Sequence, residues 1–432
     1  MKPSPFPFLL LLLFLFSSPS SAQHFQDWFE EGAMRVDLVF SGDANESTYA
    51  LSGWRKEPFF SGSRKSLVDP FDYGDHMFQV KDAGTGALLF RQTYCTLYRE
   101  WLTTTESTER TRAYPHVLRF PWPKEQVDIE VYDRDAKGHF QLVWTDSFDP
   151  ATIFADPVNP LPFEVKDLKI HGDPEEKVDL LFLAEGYTEA EMEKFLADAV
   201  RSAEYIFSEE PFTSRRKDFN VRAVLSFGTD SGTDIPGQGV WKRTVMNSGF
   251  YTFGVERYMT TPDFRTVSDV ASNAHYDQIY ILVNTPKYGG GGIYNHYSIS
   301  AADNEASRAV VIHEFGHAFG GLADEYYNSE VAYNDYFPLD VEPWNPNLTT
   351  LVSFGEKWEG MLAEGTPVPT PADENHVSVL GVYEGGGYVA KGVFRPMVDC
   401  RMHSNDATFC PVCSRAIEKM IDRYTGGSEQ GD

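Results

Sequence analysis

The segment Val310-Val-Ile-His-Glu-Phe-Gly-His-Ala-Phe-Gly-Gly-Leu-Ala-Asp-Glu-Tyr326 constrains this chain more than any other part of it. His313 and His317 are four residues apart, so on a helix their imidazoles leave one face a turn apart and can share a metal ion. Glu314, beside the first histidine, is then placed to take a proton from a water at that metal. Val310, Val311, Ile312, Phe315 and Phe319 make the helix apolar and hence buried, where unpartnered polar groups are costly. That weighs against the plainer reading of two surface histidines beside a solvated glutamate. Gly320-Gly321 ends the helix and lets the chain turn, and Asp324-Glu325 supplies carboxylates at once. Asp324 is the expected third ligand and Glu325 the alternative; the one not bound would fix a histidine tautomer. The expected metal is Zn2+, which lowers the pKa of a water toward neutrality. The expected reaction is peptide-bond hydrolysis, with Glu314 as general base and then as proton donor to the leaving amine.

The chain around this helix divides into two patterns. From about residue 23 to 162 it reads as short strands, such as Met34 to Phe40, His76 to Val80, Ala87 to Tyr94 and Val127 to Tyr132. Turn signals at Asp82-Ala-Gly-Thr-Gly86 and Asp133-Arg-Asp-Ala-Lys-Gly138 separate them, which predicts an antiparallel β-sandwich. Asp156-Pro-Val-Asn-Pro-Leu-Pro162 reads as a linker. From 163 to 432 strands and helices mix. Val178 to Leu183, Phe219 to Phe227 and Gln278 to Val283 are apolar strands. Thr188 with Glu191 forms a capping box, and Met192, Phe195, Leu196, Ala199, Val200, Ala203 and Ile206 line one face of the helix that follows. The run Gly289 to Gly292 lacks a following Lys-Ser/Thr and so is not a phosphate loop; it reads as a turn into an edge strand, Ile293 to Ser300. Asp303 or Asn304 would cap the metal-binding helix. The predicted class is α+β.

Charge and leader narrow the setting. The 37 basic and 64 acidic residues give a net charge of −27, which repels nucleic acid and anionic membranes; neither is an expected partner. Acidic clusters such as Asp43 with Glu46 could hold a structural Ca2+, although no EF-hand-like spacing occurs. Lys2, the apolar run Phe6 to Phe16 and the small residues ending at Ala22 make residues 1–22 a signal peptide. The run is short for a transmembrane helix, so the mature chain is expected to be secreted, periplasmic or at the cell surface. In such a compartment the four cysteines, Cys95, Cys400, Cys410 and Cys413, are expected in disulfides. The three near the C-terminus could instead hold a second, structural Zn2+ with one further ligand.

Several segments resemble known families. The spacing His313-Glu-x-x-His317-x-x-Gly320 is similar to that of the metzincins, but Ala323 stands where they carry a third histidine, and Asp324 follows one residue later. Cys400-Arg-Met402 resembles the metzincin Met-turn, which implies that Met402 packs beneath the metal; Ser404 stands where some members place a tyrosine. Cys-x-Met followed by Cys-x-x-Cys is also similar to the archaemetzincins, without their first cysteine. The stretch from His313 to Tyr326, with Leu183-Ala-Glu-Gly-Tyr-Thr188, Ser231-Gly-Thr-Asp-Ile-Pro236, Arg257-Tyr258 and Phe409-Cys-Pro-Val-Cys413, resembles the bacterial IgA peptidase family over about residues 166 to 424. The preceding β-rich region fits that family's N-terminal domain. The resemblance implies a zincin fold and extracellular action on a protein or peptide substrate, without specifying immunoglobulin. A competing reading makes the chain an inactive, peptidase-like secreted module, with Trp54 and Trp101 in the front domain open to glycan.

Overall fold

The computed structural model describes residues 24–158, 161–327 and 337–427. The signal-peptide reading, on residues 1–22, lies outside the described residues. The first half is built from short strands whose alternating side chains bury one face. After the short helix α1 (Phe25–Trp28) come β1 (Phe29–Gly42), β2 (Ser47–Glu57), β3 (His76–Asp82) and β4 (Leu88–Tyr94). Helix α2 (Leu97–Leu102) leads to β5 (Arg112–Pro123), β6 (Val127–Arg134), β7 (Phe140–Phe148) and the short β8 (Asp156–Pro157). They form two four-stranded sheets, β5-β1-β2-β8 and β4-β3-β6-β7. The sheets meet through rings: Phe120 of one lies against Phe78 and Phe90 of the other, and Trp54 and Trp122 both contact Phe148. Asp43 accepts the backbone N–H groups of Asn45 and Glu46, closing the β1–β2 hairpin as a turn cap. Residues 156–157, expected in a linker, pair in parallel with β2.

The aromatic residues assigned to glycan contact do not fit that role. Trp101 is fully buried, with its indole N–H donated to Glu106, and Trp54 is packed against Phe148. Both serve the core rather than an open face.

The second half forms a six-stranded sheet of β9 (Val165–Lys169), β10 (Val178–Glu185), β11 (Phe219–Val224), β12 (Gln278–Val283), β13 (Gly290–Ile293) and β14 (Tyr297–Ala301), in the order β13-β14-β12-β10-β11-β9. The four inner strands run parallel and are buried along their whole length, as strands covered on both faces are. The glycine run forms the edge strand itself, and with β14 it makes an antiparallel hairpin where one continuous strand was expected. Helices α3 (Met192–Ile206), α4 (Phe264–Ala271), α5 (Ser307–Gly320) and α6 (Pro411–Thr425) and the small hairpin of β15 (Tyr383–Gly386) and β16 (Val389–Arg395) complete an α+β fold. The capping box is formed, with Glu191 accepting from the Thr188 backbone N–H and hydroxyl, both at 2.8 Å.

One hydrophobic core runs through both halves. Polar contacts also cross the junction: Arg35 pairs with Asp269 at 2.7 Å, and Trp344 donates to Asp75. Among the described residues no helix is long and apolar enough to cross a membrane.

Candidate metal centre and active site

Helix α5 lies across β13 and β14, and its start is held by Asn304 and Ser307. Asn304 accepts the Ala306 N–H, and the Ser307 hydroxyl accepts the Asn304 N–H and donates to Ala301. The helix ends where Gly321 adopts the left-handed conformation (φ 64°), a backbone state that glycine reaches without a Cβ penalty. That reversal carries Asp324 back over the helix face bearing the two histidines.

Three side chains converge there. His313 Nε2 and His317 Nε2 are 3.0 Å apart, and Asp324 Oδ1 lies 3.0 Å from the first and 3.3 Å from the second. The other nitrogen of each ring faces a backbone carbonyl: His313 Nδ1 the Arg401 oxygen at 3.0 Å, His317 Nδ1 the Leu322 oxygen at 2.6 Å. Each Nδ1 therefore carries a proton, and each Nε2 lone pair points at the other. Two such lone pairs beside a buried carboxylate oxygen call for a positive charge between them, supplied by a metal ion or, in its absence, by the proton that His317 takes up. The spacing fits such a cation, since metal–ligand bonds of about 2.0–2.1 Å in a tetrahedron separate the ligand atoms by about 3.3 Å. The set His313, His317 and Asp324 meets the requirements of a metal ligand group.

Electrostatics follow from burial and this juxtaposition. Burial alone would lower the His317 value, but the Asp324 carboxylate more than offsets it and pushes His317 up to about 9. Burial would raise Asp324, and the two imidazoles hold it well below the usual carboxylate range. For Glu314 burial dominates and pushes its carboxyl up, against the pull of the same imidazoles.

Glu325, the alternative third ligand, does not join this group. Its side chain goes to the opposite side of the segment and meets Asn347 and Cys413, with Oε1 2.9 Å from the Asn347 amide nitrogen. Met402 is fully buried. A Cβ placed on Gly316 would meet its sulfur at 3.0 Å, so the thioether lies directly beneath the turn of α5 that separates the two histidines. His403 is held by Asp399 at 3.1 Å and lines the cleft. The four cysteines carry free thiols, contrary to the disulfides expected. The Cys400 and Cys413 sulfurs are 3.7 Å apart, against about 2.05 Å for a disulfide. Cys95 sits apart from them, beside Asp75.

Other residues of the site carry no local sequence signal. Tyr388 donates its phenol O–H to Asp324 Oδ2 from 64 residues away. Glu209 grips Arg401 at 2.8 Å, and so steadies the carbonyl that receives His313. The glycine run is the nearest strand to α5: a Cβ on Gly292 would meet the Glu314 carbonyl at 2.3 Å, and one on Gly290 the Glu314 Oε1 at 2.7 Å. The group opens into a cleft of about 320 Å³, whose wall includes Glu100 from the β-rich half beside Tyr258 and Tyr288. Glu100 accepts a short hydrogen bond from the Tyr258 phenol.

The sequence matches the family described as IgA Peptidase M64 over residues 167–378 and 372–421, and the one described as Peptidase M64 N-terminus over residues 24–145. No curated protein matches the chain in sequence.

Proposed function

For a chain that belongs to the IgA Peptidase M64 family, we propose a secreted, zinc-dependent endopeptidase in which His313, His317 and Asp324 hold the metal and Glu314 is the general base. Membership carries a peptidase function and a protein substrate. The observation that carries the finer reading is the convergence of two Nε2 atoms and one carboxylate oxygen, all within 3.3 Å, in the wall of the cleft beside the Glu314 carboxylate. The reading includes a zincin fold of metzincin type for residues 163–432, with Met402 beneath the metal. It also includes a β-sandwich domain over 23–162 and a leader over 1–22.

Zinc in that position supplies Lewis acidity, polarising the scissile carbonyl and easing ionisation of a water. The chain's own residues do the rest. Glu314 is next to His313 and borders the cleft, so it takes the proton of the attacking water and delivers it to the leaving amine. Its raised proton affinity, a result of burial, suits it to both steps. The Arg401 and Leu322 carbonyls keep each histidine proton at Nδ1 and each Nε2 free for the metal. Tyr388 orients the Asp324 carboxylate. A binding-only module has no use for a carboxylate base at this place, and Trp101 and Trp54 are taken up by packing.

The test is proteolysis by the zinc-loaded chain. Glu314→Gln should lower kcat/KM by about 10²–10⁴-fold while leaving metal content and fold intact, and a chelator should abolish activity until zinc is restored. Unchanged turnover of a peptide library by Glu314→Gln would refute the assignment.

A further inference from the structure

Behind the first group, on the far side of the Asp324–Glu325 segment, lies a second convergence. Glu325, Cys400, Cys410 and Cys413 each offer a ligand atom, all within 4.8 Å of one another, and all four residues are buried. We infer that Glu325 Oε1 and the sulfurs of Cys400, Cys410 and Cys413 form a second metal site, a closed four-ligand site for a thiophilic divalent cation of the zinc class.

The spacing favours a shared ion. Tetrahedral zinc with metal–sulfur bonds of about 2.3 Å separates two sulfurs by about 3.8 Å, and a sulfur from a carboxylate oxygen by about 3.5 Å. The structure has 3.7 Å between the Cys400 and Cys413 sulfurs and 3.3 Å from the Cys413 sulfur to Glu325 Oε1. The surroundings suit thiolates. Cys410 caps α6 and Cys413 lies in its first turn, where free N–H groups and the helix dipole favour negative charge. The Cys410 sulfur accepts the Cys413 N–H at 3.4 Å, and the Cys400 sulfur accepts the Cys410 N–H at 3.3 Å. A second observation points the same way: Glu325 is fully buried, and its Oε2 has no hydrogen-bond partner. A buried carboxylate among thiols is costly unless a cation compensates it.

The two sites differ in kind. The His313 group has three protein ligands and faces a cleft, which leaves a position open. The cysteine group has four ligands and is closed to solvent, as structural sites are. Its role follows from connectivity. Glu325 adjoins Asp324, and its backbone N–H donates to the Met402 carbonyl at 2.8 Å. Cys400 adjoins Arg401, whose carbonyl receives His313. An ion here ties the segment bearing Asp324, the turn bearing Met402 and the start of α6 into one unit.

The test uses the full chain with His313→Ala and His317→Ala, which removes the first group and makes the outcome independent of the peptidase reading. After dialysis against zinc, this variant should retain about one equivalent of zinc per chain. Exchange with cobalt should give thiolate-to-cobalt charge-transfer absorption. Adding Cys413→Ser should remove both signals. Should that variant not fold, Glu325→Gln is the milder probe and should weaken zinc binding about 10-fold or more while keeping the thiolate absorption. Thiol titration in denaturant and chelator should find all four cysteines reduced. A folded His313→Ala/His317→Ala chain that binds no zinc overturns the proposal, as does a disulfide among Cys400, Cys410 and Cys413 in zinc-replete protein. Unchanged affinity in Glu325→Gln overturns its place among the ligands.

Discussion

Replacing Tyr388 by phenylalanine removes one oxygen and keeps the ring that stands against Tyr326. The lost group is the phenol donor to Asp324 Oδ2, the carboxylate oxygen not aimed at the histidines. A neutral donor on a buried, ionised carboxylate contributes about 1.5–3 kcal/mol. Because Asp324 is buried, no water replaces the bond freely, and that range applies with little screening. At 1.4 kcal/mol per tenfold change, the cost amounts to about 10–100-fold in metal affinity. Groups that orient metal ligands generally cost the same when removed. Zinc competition against a chromophoric chelator measures the dissociation constant directly. The dissociation constant of Tyr388→Phe should rise by that factor, and kcat at saturating zinc should recover most of its value. Zinc affinity within twofold of the parent, with kcat lowered instead, would refute the argument and move Tyr388 from the carboxylate to the substrate.

Three other outcomes follow. Gly292→Ala puts a methyl 2.3 Å from the Glu314 carbonyl, so α5 and β13 must separate; thermal melts should show a loss of about 1–3 kcal/mol, and an unchanged melting temperature would contradict the contact. In metal-free protein, burial opposes and Asp324 favours the His317 proton, with the balance at about 9, above its unfolded value of about 6.5. Its stabilisation is therefore complete below about pH 6.5 and lost as pH rises through 9, so the metal-free melting temperature should fall across that window while the zinc-loaded protein holds steady. In metal-free protein burial pushes the Glu314 carboxyl up, so a carboxylate titration followed by infrared or NMR should show one group above the ordinary range that is missing in Glu314→Gln, and a profile identical in the two chains would contradict it.

Local chemistry made much of this chain readable. The four-residue spacing of His313 and His317 and the apolar residues around them define a buried helix with two imidazoles on one face, because helical periodicity is a property of the segment itself. Thr188 with Glu191 and the apolar strands at 178–183 and 278–283 were readable for the same reason. The glycine run was misread as a turn because its meaning lies outside it. Its strand passes so close to α5 that a Cβ on Gly290 or Gly292 would strike Glu314 or His317, while one on Gly289 or Gly291 would strike Arg257 or Met259 on the other side, and nothing within four glycines records what approaches them. Trp101 looked free for a ligand because an aromatic side chain has the same sequence signature in a core as on a surface.

The sequence by itself determined the chemistry available: two imidazoles on one helical face, a carboxylate beside them, two more carboxylates just past a glycine turn, and three cysteines near the end. Only the tertiary structure decided how these were shared. Asp324 and Glu325 are equivalent by composition and adjacent in the chain, but past the left-handed turn at Gly321 their side chains leave the segment on opposite sides. One meets the histidines and the other meets the cysteines, which arrive from more than 70 residues away. Which carboxylate faces which cluster depends on the packing of three distant segments, and local periodicity carries no information about that.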